Sequence, residues 1–127
     1  MTSQPQLQLI LATGPETPER AVLALGAALS AAHSGTQVSV VLAMRGAAWA
    51  SPLVGDDSTL EGYPTVASLI AEVLDAGAEV LGCSSCIDRF CPAPLGADGQ
   101  KVLRAGIARV GLSLVAMRMT ERATVTF

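Results

Sequence analysis

The stretch LQLILATGPETPERAVLALGAALSAAHSGTQVSVVLA, residues 7–43, constrains the fold more than any other part of the chain. Two compact apolar runs, 7–13 and 36–43, flank a long segment of helical periodicity. The first run ends at Gly14-Pro15 and reads as a buried strand. Thr17 is placed to cap a helix, Pro18 suits its first position, and Glu19 suits its positive end. Val22, Leu25, Ala28 and Leu29 then recur at helical spacing, His33 suits the negative end, and Gly35 stops the helix. The second run is β-branched and reads as a strand. Two strands joined through a helix lie parallel, with a right-handed crossover.

The pattern continues along the chain. Residues 44–64 are irregular, with a short helical turn expected near 47–50 and then a loop rich in Gly, Pro, Asp and Ser. TVASLIAEVLDAG, 65–77, reads as a helix with a stripe of Val66, Leu69, Ile70, Val73 and Leu74. AEVLG, 78–82, reads as a third strand. After PAPLGADGQ we expect a short helix and then a fourth strand over 106–112. Ser113 would cap a helix through LVAMRMTER, and ATVTF closes the chain as a fifth strand. The alternation predicts a single α/β domain over 1–127, with a mainly parallel five-stranded sheet covered by helices on both faces. In such sheets ligands sit beyond the carboxyl ends of the strands. Three loops meet there: 14–17, 44–49 and 83–91.

Composition narrows the function. Half of the residues are hydrophobic but only four are aromatic, so Ala, Val and Leu must build the core. The net charge is −3 and no Lys/Arg run occurs, so no nucleic-acid partner is expected. The N-terminus has no basic region, and no apolar run is long enough to span a bilayer. The expected location is therefore cytoplasmic, with no membrane partner. In that compartment structural disulfides are rare, and clustered cysteines point to metal or redox chemistry.

All three cysteines fall in VLGCSSCIDRFCP: Cys83, Cys86 and Cys91. A closed zinc site needs four ligands. Cys83 and Cys86 have the right separation, and Cys91 or Asp88 would extend the set, but the one histidine, His33, lies elsewhere. No metal and no cofactor is therefore expected. A Cys-x-x-Cys after a strand also suits dithiol redox work, although two βα units precede it, unlike a thioredoxin domain. A third reading is sulfur carriage, in which a thiolate at the mouth of the sheet attacks a sulfane sulfur and holds it as a persulfide. Arg89 would hold the thiolate or an anion, or be a solvated surface residue. The plainest reading is packing, since free cysteines are among the most buried residues. Trp49 and Tyr63 would line a pocket over the thiols or cover a subunit contact. Glu16 and Thr17 are loop and cap residues with a lesser claim to a ligand. Met117 and Met119 read as core or interface filler.

LILATGPETPERAVLALGAALSA, VSVVLAMRGAAW, LIAEVLDAGAEVLGCSSC and the terminal ATVTF, in this order and spacing, resemble the DsrE/DsrF-like family, which includes sulfur-relay subunits of the TusD type. The resemblance spans nearly the whole chain. It implies a flavodoxin-like three-layer sandwich assembled as a homo-oligomer, a trimer or hexamer, with sulfur-donor and sulfur-acceptor proteins as partners. It also implies that Cys83, just after the third strand, carries the persulfide and that Cys86 resolves or relays it. Cys91 falls outside the family pattern. Arg45 stands where a small or acidic residue is the family habit, and the loop 51–63 differs from the sulfur-relay subunits.

Overall fold

The structure, a computed structural model, describes residues 4–57 and 60–127, so Ser58 and Thr59 of the expected loop and the first three residues lie outside it. The elements run β1 (Gln6–Leu11), α1 (Pro18–His33), β2 (Gln37–Leu42), a 3-10 segment (Met44–Ala50), α2 (Val66–Asp75), β3 (Glu79–Cys83), α3 (Ser84–Phe90), β4 (Ile107–Val110), α4 (Leu112–Met119) and β5 (Ala123–Thr126). The strands form one sheet in the order β4-β3-β2-β1-β5, and every pairing is parallel. Three successive crossovers step in one direction across the sheet. Right-handedness therefore stacks α1, α2 and α3 on one face, while the long return from β4 to β5 puts α4 on the other. This is the expected α/β sandwich.

The two faces are held differently. On the α1–α2 face, Leu9, Leu11, Val40, Leu42, Leu25, Ile70 and Val73 are almost wholly buried. On the α4 face the sheet carries polar side chains. The amide of Gln8, fully buried, donates to the Val115 carbonyl at 3.2 Å and to Thr124 Oγ1 at 3.3 Å. Arg122 donates to Ser39 Oγ at 3.1 Å, and Arg118 pairs with Glu79 at 2.9 Å. α4 is thus fastened by directed bonds in addition to the apolar contact of Ile10, Val41, Leu81 and Val115, whereas α1 and α2 rest on apolar area.

Several local expectations need correction. The cysteine segment is a helix from Ser84 to Phe90, not a loop. Nothing between Cys83 and Cys91 breaks a helix, and Pro92 stops it. The short helix expected before β4 is absent. Lys101 instead bridges antiparallel to Leu95, and the Arg104 N–H donates to the Ala50 carbonyl at 2.8 Å, so the segment is spent as a strap across the edge. Thr17 stands at the start of α1, but its hydroxyl makes no cap bond and is buried without a partner. Ser113 does not cap α4, which starts at Leu112 behind Gly111. Thr65 does cap α2, accepting the Ser68 N–H at 3.2 Å.

One contact fixes what covers the carboxyl edge. The 3-10 segment lies so close to β1 that a Cβ at Gly46 would collide with the Leu11 carbonyl. The Ala43 N–H donates to that same carbonyl at 3.0 Å, and Trp49, fully buried, donates its indole N–H to the Thr13 carbonyl at 3.0 Å. We predict that Gly46→Ala lowers stability by about 1–3 kcal/mol, the usual effect of overpacking, read from urea denaturation. An unchanged midpoint would show that the segment is not anchored at this point.

Candidate functional site

The site is the carboxyl end of β3 and what lies over it. Cys83 is the last residue of β3 and stands at the N-cap of α3. Cys86 and Phe90 follow at i+3 and i+7, so all three share one side of the short helix. The absence of a side chain on Gly82 lets Ile87 pack down on the strand, since a Cβ there would come within 2.6 Å of its Cδ1. Ser51, fully buried, donates to the Pro92 carbonyl at 2.7 Å and ties the loop after the 3-10 segment to the end of the cysteine helix. Lys101 places its ammonium on three carbonyls there: Ile87 at 3.1 Å, Asp88 at 3.1 Å and Cys91 at 2.7 Å.

All three cysteines are free and buried, with Cys83 at 1%, Cys86 at 5% and Cys91 at 1% exposure. Burial alone would push each thiol up. At Cys83 it is outweighed by hydrogen bonds to sulfur from the Cys86 N–H, the Cys86 thiol, the Ser85 hydroxyl and the Ser85 N–H, and the thiol is held below its ordinary value. The Ser85 oxygen lies 3.6 Å from Cys83 Sγ. Cys86 goes the other way. Burial and the charge on Cys83 raise it, although the Met44 N–H donates to its sulfur. Burial also raises Cys91, against the charges of Lys101 and Arg109. The two neighbouring thiols are thus shifted in opposite directions, Cys83 down and Cys86 up. Met44, which supplies the N–H to Cys86, is the one non-glycine residue with positive φ among the described residues, at 50°. Such strain gathers at functional sites.

The other expected residues fall into place unevenly. Arg45 and Arg89 both lie over the Phe90 ring, with guanidinium carbons 5.6 and 5.2 Å from its centroid. Glu16 Oε1 accepts the Gly14 N–H at 2.9 Å. That bond, helped by its own N–H and by Arg45, holds the carboxyl below its usual value against some burial. Glu16 is thus a loop-ordering residue. Trp49 neither lines a pocket nor reaches the surface; it is core. Tyr63 lines an open groove of about 460 Å³ with α1 and Leu60, and none of the cysteines borders it. Among the described residues no three Cys, His, Asp or Glu side chains converge as metal ligands would. Sequence reasoning missed Ser85, Met44, Phe90 and Lys101. Phe90 was recoverable once the segment is seen as a helix; the Met44 N–H was not, because a backbone donor carries no sequence signal.

Fold and site together define a parallel α/β protein with a thiol pair at the carboxyl edge of its sheet. The chain belongs to the DsrE/DsrF-like family, whose model matches residues 7–127. Its fold is that of the ychN protein from E. coli, with a TM-score of 0.74 and 16% identity over 98% of this chain and 100% of that one. A conserved protein of unknown function from Bacteroides thetaiotaomicron, BT1422, is also similar, with a TM-score of 0.61 and 17% identity over 96% and 94% of the two chains. No curated protein matches the chain in sequence. No described helix is long and apolar enough to cross a membrane.

The hydrogen bonds to Cys83 make a prediction about pH. As pH rises, Cys83 should form thiolate first, and its alkylation should climb at lower pH than that of Cys86 or Cys91. Ser85→Ala should move the Cys83 profile to higher pH, because it removes a donor to the charged form. Mass-resolved alkylation across pH measures this. Coincident profiles for the three cysteines would contradict it.

Proposed function

We propose that the protein is a sulfur carrier of the sulfurtransferase type, with Cys83 as the acceptor of sulfane sulfur. The observation that carries this reading is the place of Cys83 at the carboxyl end of β3, with Cys86 three residues on and the Ser85 hydroxyl 3.6 Å from its sulfur. The Cys83 thiolate attacks the outer sulfur of a persulfide donor R–S–SH. A sulfur–sulfur bond forms on Cys83, the donor's sulfur–sulfur bond breaks, and the donor leaves as the thiolate RS⁻ with the electron pair. Cys86, three residues on along the same side of α3, is placed to resolve the persulfide or relay its sulfur to an acceptor thiol. Family membership supports a sulfur-relay role and sulfur-donor and acceptor proteins as partners. It also supports work as a homo-oligomer, a trimer or hexamer. Exposed Leu112, Met117 and Met119 on α4 and Val125 on β5 favour a subunit contact there.

A second reading has its own observation. Thiols this deeply buried are what packing cysteines look like, which favours an oligomeric binding or accessory protein whose cysteines only fill space. For sulfur carriage the cover over Cys83 must open, and the strained Met44 is the place for it.

The test is bound sulfane sulfur after incubation with a persulfide donor, measured by cyanolysis. Wild type should hold close to one sulfur per chain, Cys83→Ala should hold almost none, and Cys86→Ala should load but discharge more slowly. Full loading of Cys83→Ala removes Cys83 from the role. No loading of any form, with all thiols resistant to alkylation in the native state, favours the packing reading. A Cys83–Cys86 disulfide in place of bound sulfur would make the pair a redox switch.

A further inference from the structure

The chain has eight Lys and Arg residues, and most are committed. Arg104, Arg109 and Arg118 make ion pairs with Asp56, Asp88 and Glu79. Lys101 spends its ammonium on carbonyls, and Arg122 donates to Ser39. Arg20, Arg45 and Arg89 make no ion pair among the described residues; Arg20 stands apart on α1, while Arg45 and Arg89 are both carried on one aromatic ring. That ring, Phe90, lies one helical turn from Cys86 on the side of α3 that also bears Cys83. Arg45 reaches it from the 3-10 segment, which packs against α3. Two uncommitted, exposed guanidiniums therefore flank the end of a row of thiol, thiol and phenyl. Of the two carboxylates nearby, Glu16 shares its charge with Arg45 and Asp88 with Arg109. Glu16, beside Arg45, has one oxygen on the Gly14 N–H, and Asp88, next to Arg89 in sequence, is drawn to Arg109 at 3.3 Å.

We propose that Arg45 and Arg89, held on the Phe90 ring, are the specificity-determining element for an anionic sulfane-sulfur donor, the class that includes inorganic polysulfides and small-molecule persulfides such as glutathione persulfide. This rests on the reading of Cys83 as a sulfur acceptor. A thiolate attacking an anion works against like-charge repulsion, and the chain as a whole is negative. Guanidiniums at the approach offset that repulsion. Arginine suits the task because its planar fork binds oxyanions and sulfur anions by directed N–H bonds, and its stacking on an aromatic ring holds it ready. With tetrasulfide the step is balanced. The Cys83 thiolate attacks the terminal sulfur of S4²⁻, a bond forms on Cys83 Sγ, the terminal sulfur–sulfur bond breaks, and S3²⁻ leaves with the electron pair. No proton, oxidant or reductant is consumed.

The experiment compares alkylation of Cys83 by iodoacetate and by iodoacetamide, resolved by mass. The two reagents meet the same thiol, so their rate ratio cancels access and thiolate fraction and leaves the local charge. The double variant Arg45→Gln/Arg89→Gln should lower the iodoacetate-to-iodoacetamide ratio by about tenfold at low salt, the low end of electrostatic steering. Added salt should shrink the wild-type advantage. Arg45→Lys/Arg89→Lys should keep most of the ratio, since the charge remains. Uptake from tetrasulfide and from glutathione persulfide should fall together in the Gln variant; a fall with one donor alone identifies that donor as the source the element selects. A ratio unchanged by the Gln variant, with sulfur uptake intact, overturns the anion element and leaves the sulfur-carrier reading standing. A ratio that falls in a protein that binds no sulfur from either donor overturns the sulfur-donor assignment and the carrier reading together, while leaving the charge at the thiols established.

Discussion

The close approach of Gly46 to the end of β1 is the contact on which the site depends. It leaves no room for a side chain, so the chain leaving β2 must fold back over the carboxyl edge of the sheet. Trp49 then locks the far end of the segment to the Thr13 carbonyl from within the core. Just before the first of these anchors Met44 takes a positive φ of 50°, and its N–H lowers the neighbouring Cys86 thiol against burial. The 3-10 segment thus packs on the cysteine helix, while the donors to Cys83 come from Ser85 and Cys86 of that helix itself. The balance between burial and donors differs from one cysteine to the next.

That balance is why three cysteines in one short segment have three different characters. Cys83 is held below the ordinary thiol value in spite of burial. Cys86 is raised by burial and by the neighbouring Cys83, against the Met44 N–H. Cys91 sits in the C-terminal turn, where Lys101 and Arg109 only partly offset burial. A more acidic thiol next to a less acidic one is a sensible arrangement for taking up a sulfur atom and then giving it away. The same Lys101 ammonium holds the C-terminal end of α3.

Much of this was legible in the sequence. The apolar runs at 7–13 and 36–43 and the Val66–Leu74 stripe specify parallel strands with helical crossovers, and the sheet follows. Cys83 at the end of a strand was legible from AEVLGC. What was not legible is whatever depends on backbone placement. The helix over 84–90 lacks a strong apolar period and is fixed by contacts with the 3-10 segment and by Lys101. The absent helix at 101–105 has ordinary helix formers, but tertiary hydrogen bonds from Lys101 and Arg104 win. Trp49 looked like a surface aromatic because nothing in its neighbours shows that the segment turns inward. Arg45 and Arg89 are far apart in sequence, and only the fold brings both onto Phe90.

The likeness to the ychN protein extends over the whole of both chains, at an identity that speaks for the fold alone. The chemistry therefore has to be tested on this chain's own thiols. The most direct measurement is peptide mapping by mass spectrometry after a brief exposure of the native protein to polysulfide. The account predicts the mass of one added sulfur atom on Cys83, removed by reductant, with Cys86 and Cys91 unmodified. Added sulfur on Cys91 instead, or no added sulfur on any of the three, would contradict it.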